Sequence, residues 1–260
     1  MTCVRNLNMK SFPKMNRLSN PDHRASDGMK TIAIITAAGK GKRMRAKTRK
    51  PYITLGDKPL LAHTILPFEY STAINSIIIV TAPGDEDFCL RNIVKKFGFK
   101  KVAKIIRGGK ERQDSVMSGI MAVNDGWDIV VVHDGVRPFV AKEVINKVVQ
   151  SAKKWGAATT AVPVKDTIKQ VSDGFVKKTL QREDLWAIQT PQAFRFDVIK
   201  KAHMLARKRG FIGTDDSILV ERLGHKVVIV KGSYDNIKVT TPEDLILGEV
   251  ILRQAMGKRQ

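Results

Sequence analysis

Six short runs of β-branched and aliphatic residues punctuate this chain, at 31–36, 77–81, 102–106, 129–132, 159–162 and 227–230. They are continuous, not alternating. A strand with one wet face alternates apolar and polar side chains, whereas an unbroken apolar run suits a parallel strand covered on both faces. Helix-like segments lie between them, at 60–70, 86–97, 114–123, 142–155, 196–209, 215–223 and 242–253. Strand–helix alternation of this kind predicts an α/β fold with a doubly wound, mostly parallel sheet. The stretch 164–185 breaks the rhythm. It reads as two extended pieces about the turn Ser172-Asp173-Gly174, a hairpin excursion from the sheet.

Charge narrows the function. Lys and Arg number 46 against 25 Asp and Glu, a formal net charge of +21. Nucleic-acid binding, solvated lysines and a pocket for several phosphates all accommodate that excess. No zinc-finger, ribonucleoprotein or basic-zipper pattern is present, so nucleic acid is not the expected partner. Seven of the eleven residues from Lys40 to Lys50 are basic, which suits a triphosphate. Cys3 and Cys89 stand outside any metal-binding spacing, and a reducing compartment is expected. No apolar run approaches 18 residues, so no membrane helix is expected. Residues 1–28 lack periodicity and carry only Asp22 and Asp27 as acids. They are read as a flexible extension before a single domain at 29–260, with Met29 just ahead of the first strand. An organelle-targeting peptide is the alternative to a cytoplasmic protein.

The motifs sit where the strands should end. The first strand runs into Ala37-Ala38-Gly39-Lys40-Gly41-Lys42-Arg43-Met44. Small residues there let backbone amides approach a ligand, and open α/β sheets bind ligands at strand carboxyl ends. The segment is neither a dinucleotide GxGxxG nor a P-loop. Gly108-Gly109 through Ser115 offers a tight turn with backbone open to a base, and Asp114 or Ser115 can cap the following helix. His133-Asp134-Gly135-Val136-Arg137-Pro138 places an acid just past a strand, positioned for a metal or a ribose hydroxyl. Arg137 can hold that acid or a phosphate, and His133 reads as structural. Lys238 can reach the same cleft, and Thr241-Pro242-Glu243-Asp244 is a helix start. No HExxH or GxSxG is present. Phosphate chemistry driven by positive charge is the reading the residues support unaided.

Taken together, AAGKGKRM (37–44), GGKERQDSV (108–116), HDGVRP (133–138), PVKDTIK (163–169), the RxxLWxxxTPQ pattern from Arg182 to Gln192, TDDS (214–217) and DNIKVTTPEDL (235–245) resemble the 2-C-methyl-D-erythritol 4-phosphate cytidylyltransferase family over about residues 30–254. The resemblance implies a Rossmann-like sheet whose β-arm, here 164–185, reaches across a homodimer. It implies transfer of CMP from CTP to the sugar-alcohol phosphate, release of pyrophosphate, and a requirement for Mg²⁺ or another divalent cation. By residue, it implies that Arg43 and Lys50 stabilise the pentacoordinate transition state. Ala37, Ala38, Gly39, Gly109 and Ser115 would hold the cytosine and nearby nucleotide, and Asp134 and Gly135 the ribose and metal edge, with Asp134 toward the metal. Thr167 and Arg182 on the arm would serve the partner subunit's sugar phosphate, and Lys238 matches a residue of the same acceptor site. Two departures stand out. The usual PKQY is Arg49-Lys50-Pro51-Tyr52 here, and HDGVRP replaces HDAARP, a variation shared with the ribitol 5-phosphate cytidylyltransferases. Ribitol 5-phosphate is therefore the alternative acceptor.

Overall fold

The computed structural model describes residues 28–39 and 49–257. The expectations for the N-terminal extension and for Arg43 fall outside those residues. In chain order the elements are β1 (Thr31–Ala37), β2 (Thr54–Leu55), β3 (Lys58–Pro59), α1 (Leu60–Tyr70), β4 (Ser76–Thr81), α2 (Glu86–Cys89, continuing as a π-helical turn at Leu90–Lys95), β5 (Val102–Arg107), α3 (Arg112–Met121), β6 (Ile129–Asp134), α4 (Lys142–Trp155), β7 (Ala157–Pro163), β8 (Lys169–Ser172), β9 (Phe175–Thr179), β10 (Trp186–Arg195), α5 (Phe196–Lys208), α6 (Ser217–Glu221), β11 (Val228–Lys231) and α7 (Pro242–Gly257).

Seven strands form the central sheet in the order β11-β7-β10-β6-β1-β4-β5. β1 lies parallel to both β4 and β6, so that Ile34 sits between Ile78 and Val132. Successive side chains explain why the runs do not alternate. Ala33, Ile35, Ile79 and Val131 face a layer containing Phe68, Ile145 and Val149. Ile32, Ile34, Val80 and Val130 face Val116, Ile120, Ile199 and Leu219 on the other side. Both faces are dry, as a sheet clad by helices requires.

One central strand carries no such apolar run. β10 pairs antiparallel with both β6 and β7, and its middle reads Gln189-Thr190-Pro191-Gln192. Sequence patterning does not mark it as a strand, because its buried side chains are polar. They are satisfied locally: the Gln192 amide donates to Thr159 Oγ1 at 2.8 Å and to Asp215 Oδ2 at 2.7 Å, and the Gln189 amide donates to Ser233 O at 2.9 Å. Buried amides are tolerated when paired in this way.

The hairpin excursion is present as β8 and β9, paired antiparallel about Asp173 and Gly174. Both turn residues have positive φ, 52° and 83°, the combination that two-residue hairpin loops need and that Asp-Gly supplies. Every residue of both strands is exposed.

Candidate functional site

The strand order reverses at β1. β4 and β5 continue on one side, and β6 follows on the other. Ligands in open α/β sheets bind at such a switch point, beyond the carboxyl ends of the strands. A cavity of about 590 Å³ opens there, within the range of small-molecule sites. Its wall includes Ala37, Ala38 and Gly39 from the end of β1, Lys50, Gly109, Ser115, Asp134 and Lys238. Eight expected site residues therefore meet in one place, although they come from five separate segments of sequence.

Gly135, Thr167 and Arg182 lie elsewhere. Gly135 is behind the wall: its N–H donates to Thr36 O at 2.8 Å, and a Cβ built there would come within 2.9 Å of that same oxygen. Thr167 and Arg182 are exposed at the hairpin, outside this cavity, and the Arg182 guanidinium donates to Lys165 O at 3.1 Å.

The loop after β5 shows why glycine is used. Gly108 N–H donates to Thr81 O at 2.7 Å, and a Cβ on Gly108 would lie 2.4 Å from that of Ala38. Only glycine lets the loops after β1 and β5 close to this distance. Gly109 N–H then donates to Ser115 Oγ at 3.2 Å. Helix capping falls to Glu111 and Asp114, which form a reciprocal capping box, so the Ser115 hydroxyl is not required as a cap.

Asp134 is the electrostatic centre. Its side chain is 8% exposed, and three cations surround it: Arg112 Nε at 3.0 Å, Lys238 Nζ at 2.8 Å and Arg137 Nε at 3.6 Å. Burial opposes its charge, but Arg112, Lys238 and Arg137 together hold the carboxyl well below the usual carboxylate range. Arg112 spans two acids, because its Nη1 also donates to Asp216 Oδ2 at 2.8 Å. Burial would lower the Arg112 pKa, yet Asp216 and Asp134 raise it above the ordinary arginine value. Asp216 in turn meets His203 Nε2 at 3.1 Å and is likewise held ionised against its burial. Neither Arg112 nor Asp216 was singled out in the sequence. Both lie inside quoted motifs, but 104 residues separate them, and nothing in the local pattern signals that they pair.

His133 is structural, as expected. It is fully buried. The Thr190 hydroxyl accepts from Asp134 N–H at 3.1 Å and donates to His133 Nδ1 at 3.0 Å, leaving Nε2–H to donate to Arg137 O at 3.1 Å. Burial pulls its pKa from 6.5 down to about 3. The unfolded chain therefore binds the extra proton between those values, and stability is full above about pH 6.5 and falls as pH drops toward 3. The expected loss by pH 5 is about 2 kcal/mol. The depressed carboxyls of Asp134 and Asp216 act only below about pH 4, so they do not obscure this window. Urea denaturation at pH 7 and 5 checks it. His133→Gln should be weaker at pH 7 but lose less between the two pH values, and an unchanged slope would exclude His133 as the source.

Cys89 is buried among apolar groups, and its thiol is pushed up to about 12, so it is no nucleophile. Among the described residues no cluster of three or more His, Cys, Asp or Glu could form a protein metal cage. Asp134 and Glu111 are the carboxylates on the cavity wall.

Known proteins resemble this chain in sequence and fold. A family profile, IspD: 2-C-methyl-D-erythritol 4-phosphate cytidylyltransferase, matches residues 31–254. A protein of that name from Pelotomaculum thermopropionicum is 50% identical over 230 residues, covering 88% of this chain and 97% of the relative. Another from Alkaliphilus metalliredigens is 50% identical over 232 residues, covering 89% and 96%. Among solved structures, the 4-diphosphocytidyl-2C-methyl-D-erythritol synthase of Anaerococcus prevotii superposes with a TM-score of 0.78 at 35% identity, covering 87% of this chain and 97% of that one. The 2-C-methyl-D-erythritol 4-phosphate cytidylyltransferase of Thermus thermophilus gives 0.70 at 30% identity, covering 85% and 98%.

Proposed function

The chain belongs to the 2-C-methyl-D-erythritol 4-phosphate cytidylyltransferase family, and from that premise we propose how its cavity performs the transfer. The enzyme moves CMP from CTP to 2-C-methyl-D-erythritol 4-phosphate and releases pyrophosphate, a step toward isoprenoid precursors. An oxygen of the acceptor phosphate forms a bond to the α-phosphorus of CTP, and the bond from that phosphorus to the β-phosphate bridge breaks. The attacking oxygen is already anionic, so no general base is needed. The barrier is repulsion between anions and the charge that builds on the α-phosphoryl oxygens. Positioning and electrostatic stabilisation are what such a reaction asks of a protein.

One observation carries the assignment of roles: Lys50, Lys238 and Arg112 share a single cavity at the sheet's switch point with the ionised Asp134. Lys50, with Arg43 seven residues before it in sequence, stabilises the transition state. Ala37, Ala38, Gly39, Gly109 and Ser115 supply close backbone approach and a hydroxyl for the nucleotide. Asp134 forms the ribose edge, Gly135 backs it from behind the wall against Thr36, and Lys238 meets the acceptor phosphate.

The residues fit a Mg²⁺ that arrives with the triphosphate. That ion commonly uses one or two carboxylates plus substrate phosphates, not a protein cage. Asp134 supplies the carboxylate, and its partner Lys238, 38% exposed, has room to swing away. Bound there, the ion would offset charge on the phosphate oxygens and aid pyrophosphate departure.

The exposed hairpin serves as the arm of a homodimer, bringing Thr167 and Arg182 to the partner's acceptor. No helix among the described residues is long and apolar enough to cross a membrane. The excess positive charge is assigned to phosphorylated small molecules, not to nucleic acid.

Two measurements test these readings. Pyrophosphate release with CTP and Mg²⁺ should be faster with methylerythritol phosphate than with ribitol 5-phosphate, and the reverse order would transfer the acceptor assignment. Arg182→Ala and Lys50→Ala subunits should each be strongly impaired alone but regain activity when mixed. The mixed dimer contains one site with an intact lysine and an intact arm from the neighbour. Absence of recovery in verified mixed dimers would refute an arm that works in trans.

A further inference from the structure

We propose that Asp85 is a positioning residue for the transfer, acting through its ion pair with Arg49 on the turn that presents Lys50 to the cavity. This rests on the reading that Lys50 is catalytic. Asp85 follows β4 and is fixed by its own backbone: its N–H donates to Ala82 O at 3.1 Å, and its carbonyl accepts from Cys89 N–H at 2.8 Å. Its carboxylate, 16% exposed, meets Arg49 Nη1 at 2.8 Å. Arg49 opens the short 3₁₀ turn Lys50–Tyr52, where its carbonyl accepts from Tyr52 N–H at 2.9 Å and the Lys50 carbonyl accepts from Ile53 N–H at 3.2 Å.

That turn is pinned at both ends. At its carboxyl end the Tyr52 ring is buried edge-on to Phe88, with centroids 4.8 Å apart. At its amino end the anchor is the Arg49–Asp85 pair. Arg49 and Lys50 lie on the cavity wall with Ala82 and Pro83, so the pair ties together two walls of the site. The neighbouring acid cannot substitute, because Glu86 is engaged by Arg107 and by Gly84 N–H.

The sequence gives this pair its purpose. The usual family segment places proline before the lysine, which restricts the approach by covalent geometry. Here arginine precedes Lys50 and proline follows it. An ion pair of this exposure adds little to global stability. Its consequence is positional: a misplacement of about 1 Å at a catalytic group can cost on the order of 10²-fold in rate.

The test is a double-mutant cycle with CTP saturation curves, using Asp85→Asn, Arg49→Gln and the double variant. Each single variant should lower kcat about tenfold with the KM for CTP within about twofold, and the double variant should be no worse than either one. Multiplying losses would overturn the proposal, as would a raised KM for CTP at unchanged kcat, which would make Arg49 a direct nucleotide contact. In a Lys50→Ala background Asp85→Asn should have no further effect on kcat, and an equal loss there would also overturn it. Full kcat in Lys50→Ala alone would instead refute the role of Lys50. Should Asp85→Asn fail to fold by circular dichroism, Arg49→Gln, altered at a half-exposed side chain, decides alone. Lowered kcat at constant KM supports the pair, and unchanged kcat defeats it.

Discussion

Lys50→Ala is expected to lower kcat by about 10²–10³-fold while leaving CTP affinity nearly intact. The asymmetry follows from where the charge develops. On the proposed roles the triphosphate would meet several backbone and side-chain donors in the ground state, and one ammonium group among them would contribute a small share. In the transition state the α-phosphoryl oxygens take on additional negative charge, and a cation positioned beside them stabilises it more than it stabilises the ground state. A loss of this size corresponds to about 3–4 kcal/mol of barrier. Single-turnover rates with CTP binding measured separately are the check. A raised dissociation constant at unchanged turnover would mean that Lys50 binds ground state and transition state alike.

Arg112→Met should produce the largest loss of folding stability, about 3–5 kcal/mol at pH 7. Methionine preserves much of the volume but leaves two buried carboxylates without the guanidinium that spans them. Asp134 retains Lys238 and Arg137, whereas Asp216 retains only His203 among the described charged partners. Arg112→Lys should not rescue, because one ammonium group cannot reproduce a fork that reaches Asp134 through Nε and Asp216 through Nη1. The sign of the pH dependence identifies the cause. In the variant Asp216, buried and left with only His203 among the described charged partners, favours its neutral form, so its folded pKa rises above the unfolded value. The deficit relative to the parent should then shrink as pH falls from 7 toward 4. Urea midpoints across that range test this, and a deficit independent of pH would point to packing alone.

Some of this molecule could be read from its residues and some could not. Apolar runs mark β1, β4, β6 and β7, because strands buried on both faces are largely apolar, whereas the edge strands β5 and β11 are legible from their β-branched residues although only Val230 among them is buried. β10 escaped because it fills a central position with amides and a hydroxyl whose partners, such as Asp215 and Ser233, lie far along the chain. The same limit applied to the site. Glycine- and lysine-rich segments at strand ends were visible individually, since each has a local signature. The Arg112–Asp216 pair and the Arg49–Asp85 pair are long-range contacts with no periodicity, so only the fold reveals them. The place of Gly135 behind the wall, against Thr36, is a matter of backbone packing that its sequence motif does not display.

The reversed direction of β10 has a consequence for how such an enzyme can diversify. β7 leaves the sheet at the end where the cavity opens, and β10 re-enters there, with Trp186 across from Pro163. Everything between them is a detour whose ends are clamped side by side. Its length and side chains can be rewritten without moving the strands that shape the nucleotide pocket. The hairpin and the strand ends that shape the cavity thus occupy separately editable stretches of one gene product.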